Sequence, residues 1–194
     1  MALNKVSAYT SEASTRYRQG DILREVQIVE WAEVVGENFV LSERYLPYCV
    51  VLSQECDLEH DFNNRADTVK CERDTDKFLQ SILVCPAYPA AQLREGTHLK
   101  DAGLKMQRIN SDEWKRVKQN SSYRYHFLPE FEDVQLPELA IDFKQYFTIP
   151  RAVAYRSQIR TKVLTSLGDL FREHLSGRFA HYLSRVGLPE LESA

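Results

Sequence analysis

The chain has no long hydrophobic run, no close cysteine pair, no internal repeat and no marked excess of either charge. No apolar stretch approaches the roughly 20 residues needed to cross a bilayer. The opening Met1-Ala2-Leu3-Asn4-Lys5 carries no leader-like apolar segment. A cytoplasmic protein with no membrane partner is therefore expected. The four cysteines, Cys49, Cys56, Cys71 and Cys85, include no Cys-x2-Cys pair, and in a reducing compartment disulfides are not expected. Cys49 and Cys85 lie in strand-like apolar runs, where a thiol behaves as a small hydrophobe. A net charge of −3 gives no overall attraction to nucleic acid, so any such binding must come from a local basic patch.

What is present is ordinary globular material. With 43% hydrophobic and 27% charged residues in 194, the chain can bury one core and is too apolar for disorder. Residues 1–17 are rich in Ser, Thr and Ala without a period and predict a polar arm, leaving 18–194 as one domain. Gln19-Gly20-Asp21 is a turn signal before the strand-like Ile22–Val29. Gly36-Glu37-Asn38 marks a second turn, from which Phe39–Leu41 returns. Tyr48–Leu52 and Phe78–Cys85 are near-continuous apolar runs and predict strands buried on both faces, the second stopped by Pro86. The polar stretch Glu59–Lys77 predicts a surface loop.

Pro89 and Gly96 bracket a short helix, and Ser111 with Asp112 and Glu113 starts another that Asn120 stops. Tyr123, Tyr125 and Phe127 alternate with Arg124 and His126, and Leu139–Ile149 alternates likewise, both as strands do. From Val163 to Val186 apolar residues recur in steps of three and four. They predict an amphipathic C-terminal helix at about residues 160–187, weakened at Ser176-Gly177.

Four segments in order, Gly20-Asp21-Ile22, Pro47 with Cys49-Val50-Val51-Leu52-Ser53, Ile82-Leu83-Val84-Cys85-Pro86 and Ile141-Asp142-Phe143, resemble the MazF/PemK toxin family. The resemblance implies an α+β fold: a small SH3-like β-barrel with a C-terminal helix, here with a helical insertion at about 89–122. It also implies a homodimer that cleaves RNA without metal or other cofactor, in a toxin–antitoxin or phage-defence setting. The chain departs from the family at two positions tied to cleavage. Leu46 stands where a basic residue commonly precedes the proline, with Arg44 the nearest arginine, and Tyr88 replaces a Thr or Ser.

Cleavage through the RNA 2′-hydroxyl needs a base, an acid and a cation to hold the phosphate. His60, His98 and His126 are candidate proton shuttles, and Arg44, Arg65 and Arg124 candidate phosphate forks. The string Ser53-Gln54-Glu55-Cys56-Asp57-Leu58-Glu59-His60 follows directly from a buried strand, and a rigid element would present its polar groups on a loop. Arg44, Ser53, Asp57, His60 and His126 are thus the candidate catalytic set. Cys56 and His60 with Cys71 also have the elements of a thiol or metal site. Acidic neighbours raise a thiol pKa, however, and a fourth metal ligand is missing, so no metal is expected.

Gln54, Trp114, Tyr123, Arg124 and Tyr125 are the candidate RNA contacts, since basic and aromatic side chains interleave around them. The plainer alternative makes Trp114 and Val117 the buried face of a short helix with lysines outside. Two partners follow from these readings. One is RNA. The other is a cognate regulatory protein bound by a catalytically silent barrel.

Overall fold

The two apolar runs pair with each other. In the computed structural model, which describes residues 7–10, 14–160 and 162–185, Val50 lies opposite Cys85 in antiparallel register, and both are fully buried. The strands are β1 Tyr9–Thr10, β2 Asp21–Val35, β3 Asn38–Val51, β4 Ser81–Pro89, β5 Tyr125–Leu128, β6 Leu139–Asp142, β7 Phe147–Pro150 and β8 Val163–Leu167. The helices are α1 Glu55–Ala66, α2 Thr68–Arg73, α3 Ala90–Glu95, α4 Ser111–Lys118, α5 Arg151–Ala154, α6 Ser157–Arg160 and α7 Asp169–Leu183. The fold is α+β, with one curled antiparallel sheet in the order β1-β8-β2-β3-β4-β6-β5, and β7 pairing with β4 beside β6.

Alternation explains why both runs are wholly apolar. Val50 and Cys85 face a core closed by Leu175 and Phe179 of α7. Cys49, Val51 and Val84 face the opposite core, where Leu58 of α1 and Ala154 of α5 cover them. A third cluster sits under the insertion, where Leu93, Trp114 and Val117 pack on Tyr88 and Ala140. The two ends of the curled sheet meet through side chains. Tyr9 of β1 stacks on Phe131 at 4.9 Å between ring centroids, and its hydroxyl donates to the Pro129 carbonyl just beyond β5.

Several expectations need correction. The segment 1–17 is docked where it is described: β1 pairs with β8, and Tyr17 is buried with its hydroxyl donating to the Ala154 carbonyl at 2.8 Å. Glu59–Lys77 is helical rather than a loop, because Asp61 organises it. That buried carboxylate binds Arg65 at 2.7 Å, Arg151 at 2.8 Å and the Leu79 N–H at 3.0 Å. Pro86 does not stop its strand. It pairs with Cys49, and β4 changes its other neighbour there: Ser81–Val84 pair with β7, Ala87–Pro89 with β6. The stretch Leu139–Ile149 is accordingly two strands, not one. Helix α4 is capped by the Asn110 side chain, which accepts from the Glu113 N–H at 2.9 Å, one residue before the expected cap.

The long C-terminal helix is the largest correction. Val163–Leu167 is a strand between β1 and β2, and α7 begins only after Gly168. Val163, Leu164 and Leu167 fit a helical step as well as a strand, and sheet pairing with chain 140 or more residues away decided between them. Within α7 the helix continues unbroken through Ser176-Gly177. Residues 186 and 187 lie outside the described residues.

Candidate functional site

Of the segments expected to carry chemistry, the one after β3 is built as an anchor. The Ser53 hydroxyl accepts the Leu83 N–H at 2.8 Å, fastening the end of β3 to β4. Gln54 occupies the N-cap position of α1 without a side-chain capping bond, and Cys56, Asp57 and His60 are exposed on that helix. The Cys56 Sγ lies 3.8 Å from both Gln54 Oε1 and Asp57 Oδ1, so acceptors rather than cations surround it. The fixed member is Glu55, which accepts from Arg16 and from the Gln19 N–H, each at 2.7 Å, and pairs with Arg172 at 3.4 Å. That carboxylate ties the N-terminal segment, α1 and α7 together. No three His, Cys, Asp or Glu side chains are grouped to hold a metal among the described residues.

His126 is also structural. It lies on the core face of β5, only 2% exposed, with its ring 6.1 Å from Phe143 and 5.3 Å from His174. Burial, with the Arg178 and His174 charges adding to it, depresses its pKa to about 3. It stays neutral at physiological pH and is shut away from any substrate. Trp114 is buried as well, edge-on to Phe127 at 6.5 Å and with the Arg94 guanidinium 5.8 Å from its ring. The plainer alternative for α4 holds, since its lysines point outward. Tyr123 is different: it is more than half exposed, beside the His181 ring and the Arg185 guanidinium.

The remaining candidates converge on a cleft between the base of the β2–β3 ribbon and the insertion. One lobe, about 670 Å³, is lined by Arg44, Tyr45 and Tyr88 on the sheet side and by Gln92, His98 and Lys100 on the other. A second lobe of about 360 Å³ is lined by Arg124, Tyr125, Arg108 and again His98. His98 is the wall common to both. Its ring meets that of Tyr88 at 4.8 Å, and both ring nitrogens are buried from solvent without a well-formed hydrogen bond, although the Gln92 carbonyl is near enough to favour protonation slightly. Burial lowers its pKa below the usual histidine range, and nearby Asp142 opposes that. It is therefore a neutral base at pH 7.

The cations of the cleft are held by carboxylates. Arg124 makes a two-pronged bond to the fully buried Asp142, at 2.7 and 2.6 Å, which raises its pKa further. Arg44 pairs with Glu30 at 3.1 Å. The Tyr88 hydroxyl donates to Gln145 Oε1 at 3.1 Å, and burial holds its proton firmly. Lys100 and Arg108 stand at the exposed margin.

Arg44 thus lines one lobe and Arg124 and Tyr125 the other, with His98 on the wall of both, whereas Ser53, Gln54, Asp57 and His60 lie on the α1 anchor and line neither. Asp142 and Gln145 were missed as members. The signal available for Asp142 was a single acid inside the apolar Leu139–Phe143 run; nothing in the sequence singled out Gln145. Comparison with models of known families, with curated proteins and with solved structures gives no match to this chain.

Proposed function

We propose that the chain is a divergent MazF/PemK-like protein that acts on single-stranded RNA at the Arg44–His98–Arg124 cleft. In this reading it works as a cytoplasmic homodimer in a toxin–antitoxin or phage-defence setting. The observation that carries it is His98: a neutral imidazole without a well-formed hydrogen bond, at the junction of two lobes that each contain an arginine. The curled antiparallel sheet supports the comparison, and no helix among the described residues is long and apolar enough to cross a membrane.

The chemistry divides among the cleft residues. Once substrate binding uncovers a ring nitrogen, His98 takes the proton of the 2′-hydroxyl as that oxygen attacks phosphorus. Arg44 and Arg124 hold the non-bridging oxygens as negative charge builds, and the leaving 5′-oxygen takes its proton from water. Arg44 exchanges Glu30 for phosphate, an exchange a half-exposed carboxylate permits at small cost. The exposed Tyr123 offers a base a stacking face.

Purified protein incubated with single-stranded RNA should release fragments ending in a 2′,3′-cyclic phosphate. His98→Ala and Arg44→Ala should each lower the rate about 100-fold or more. His60→Ala and Asp57→Ala should leave it unchanged. Because burial lowers the His98 pKa and it acts as base, the rate should rise with pH and reach half its plateau at a lower pH than an ordinary histidine would give. Absence of cleavage under all conditions, or full cleavage by His98→Ala, overturns the reading.

One observation favours a second reading, that of a silent module binding a cognate regulatory protein. Both arginines already have carboxylate partners, and the β2–β3 ribbon exposes a large apolar surface. Recovery of one stoichiometric protein partner and no RNA would select it.

A further inference from the structure

The outer half of the β2–β3 ribbon is the least satisfied surface among the described residues. Strand β8 pairs only with Asp21–Leu23 of β2, and β4 only with Tyr48–Val51 of β3. From Gln27 to Val35 and back from Asn38 to Tyr45 the two strands therefore have only each other. Nine residues at the usual strand rise project about 30 Å. Gly36, at φ +65°, with Glu37 outside the left-handed region, closes the tip in the manner of a type II′ turn.

Cross-strand pairs Val34 with Phe39 and Ala32 with Leu41 put apolar groups on one face, while Trp31, Val35 and Val40 occupy the other. Seven of the large side chains, with Val29 and Tyr45 among them, are at least half exposed, and Val40 is 39% exposed. At roughly 100 Å² each, these eight offer about 800 Å² over the two faces together, so about 400 Å² on either one, and a copy that gives both an arm and a docking surface reaches about one partner's share of a standard interface. A lone two-stranded ribbon is marginal in water, and monomers rarely expose an apolar area of this size.

Charge selects the occupant. Residues 27–45 hold four glutamates and one arginine, a net of −3. Two ribbons laid on each other would repel. The insertion from 100 to 118 holds six basic and three acidic residues, a net of +3. Its segment 100–108 is almost wholly exposed, with Leu104 half exposed among Lys100, Lys105 and Arg108. Within one chain these charges are partly idle. Arg44 pairs with Glu30, Arg108 with Glu95, Arg116 with Glu113 and Lys118 with Glu138, but Glu33, Glu37, Lys100, Lys105 and Lys115 make no ion pair among the described residues.

We infer that the ribbon is a dimerisation arm: two copies of this chain exchange arms about a two-fold axis, each acidic, apolar ribbon lying on the basic 100–118 insertion of its partner. Such an interface is self-complementary and closes at two copies. It gives the proposed homodimer a surface, and it stands or falls without reference to RNA.

Light scattering on the full chain at low ionic strength tests it. The wild type should run at twice the 22.5 kDa chain mass. The pair Glu33→Lys with Glu37→Lys, and separately the pair Lys105→Glu with Lys115→Glu, should each dissociate at least tenfold more readily. Circular dichroism should be unchanged, since all four sites are exposed. An equimolar mixture of the two variants should recover the dimer as a heterodimer, because each arm then meets an insertion of opposite charge. Val34→Ser with Phe39→Ser should give a folded monomer that no mixing rescues. A monomeric wild type, reversal variants that dimerise as the wild type does, or a mixture that stays monomeric would each overturn the assignment, whatever the cleavage assay gives.

Discussion

The two halves of the β2–β3 ribbon are made of the same strands under opposite conditions. At the base, Ile22, Leu23, Val26, Leu46, Cys49, Val50 and Val51 are sealed between two cores. At the tip, valines, a tryptophan and a phenylalanine of the same β-forming character face water. Local propensity is equal in both halves, so what differs is coverage. The base has α1, α5 and α7 over its faces, whereas among the described residues no helix covers the tip. Apolar content in a strand does not by itself say whether the strand is covered.

The sharpest way to break the comparison is at the anchored end. Asp61→Ala should cost about 3–5 kcal/mol in denaturant unfolding, because two arginines and the Leu79 N–H lose one buried carboxylate. Leu46→Ala, at the point where the ribbon leaves the core, should cost about 2–5 kcal/mol through lost contacts and a residual cavity.

His126 sets a pH limit on the packed half. Its folded pKa of about 3 lies below the 6.5 of the unfolded chain, so between these values the unfolded state binds the extra proton. Stability from this group is complete above pH 6.5 and falls with acid by up to about 1.4 kcal/mol per pH unit. Unfolding of His126→Phe followed by fluorescence should lack that part of the slope. The smallest effect belongs to the tip: at concentrations where the chain is a monomer, Phe39→Ser should shift unfolding by less than about 0.5 kcal/mol.

The sequence disclosed the parts of the fold that depend on local pattern. The apolar run at Tyr48–Leu52, the turn at Gly36 and the Pro89–Gly96 bracket around α3 are such parts, while the expected strand Phe78–Cys85 begins only at Ser81. Gly96 is required twice over: its φ is +74°, and a Cβ there would lie 2.4 Å from the Met106 carbonyl oxygen. Hidden were the features fixed by distant chain. Val163–Leu167 has helical spacing but is claimed by two strands from the other end of the molecule. Glu59–Lys77 looks solvated until Asp61 meets Arg151, 90 residues away. The candidate site divides in the same way. Arg44, His98 and Arg124 were visible as residue types; that His98 borders the lobes of both arginines, and that His60 and His126 do not, follows from three-dimensional packing alone.

Pro86 shows how one imino acid routes the chain toward the cleft. It has no N–H to offer, and at its level β4 trades β7 for β6. The neighbouring Cys85 thiol, kept protonated by burial, faces the Asp142 and Gln145 carbonyls at 3.2 and 3.0 Å in the gap. The four-residue bend that fills this fork starts directly after Asp142, the partner of Arg124, and carries Gln145, the partner of Tyr88. A railway junction is the apt image: the points are set inside the sheet, and the line they open leads to the polar groups of the cleft. Changes in that bend would retune those groups while the rails on either side stay where they are.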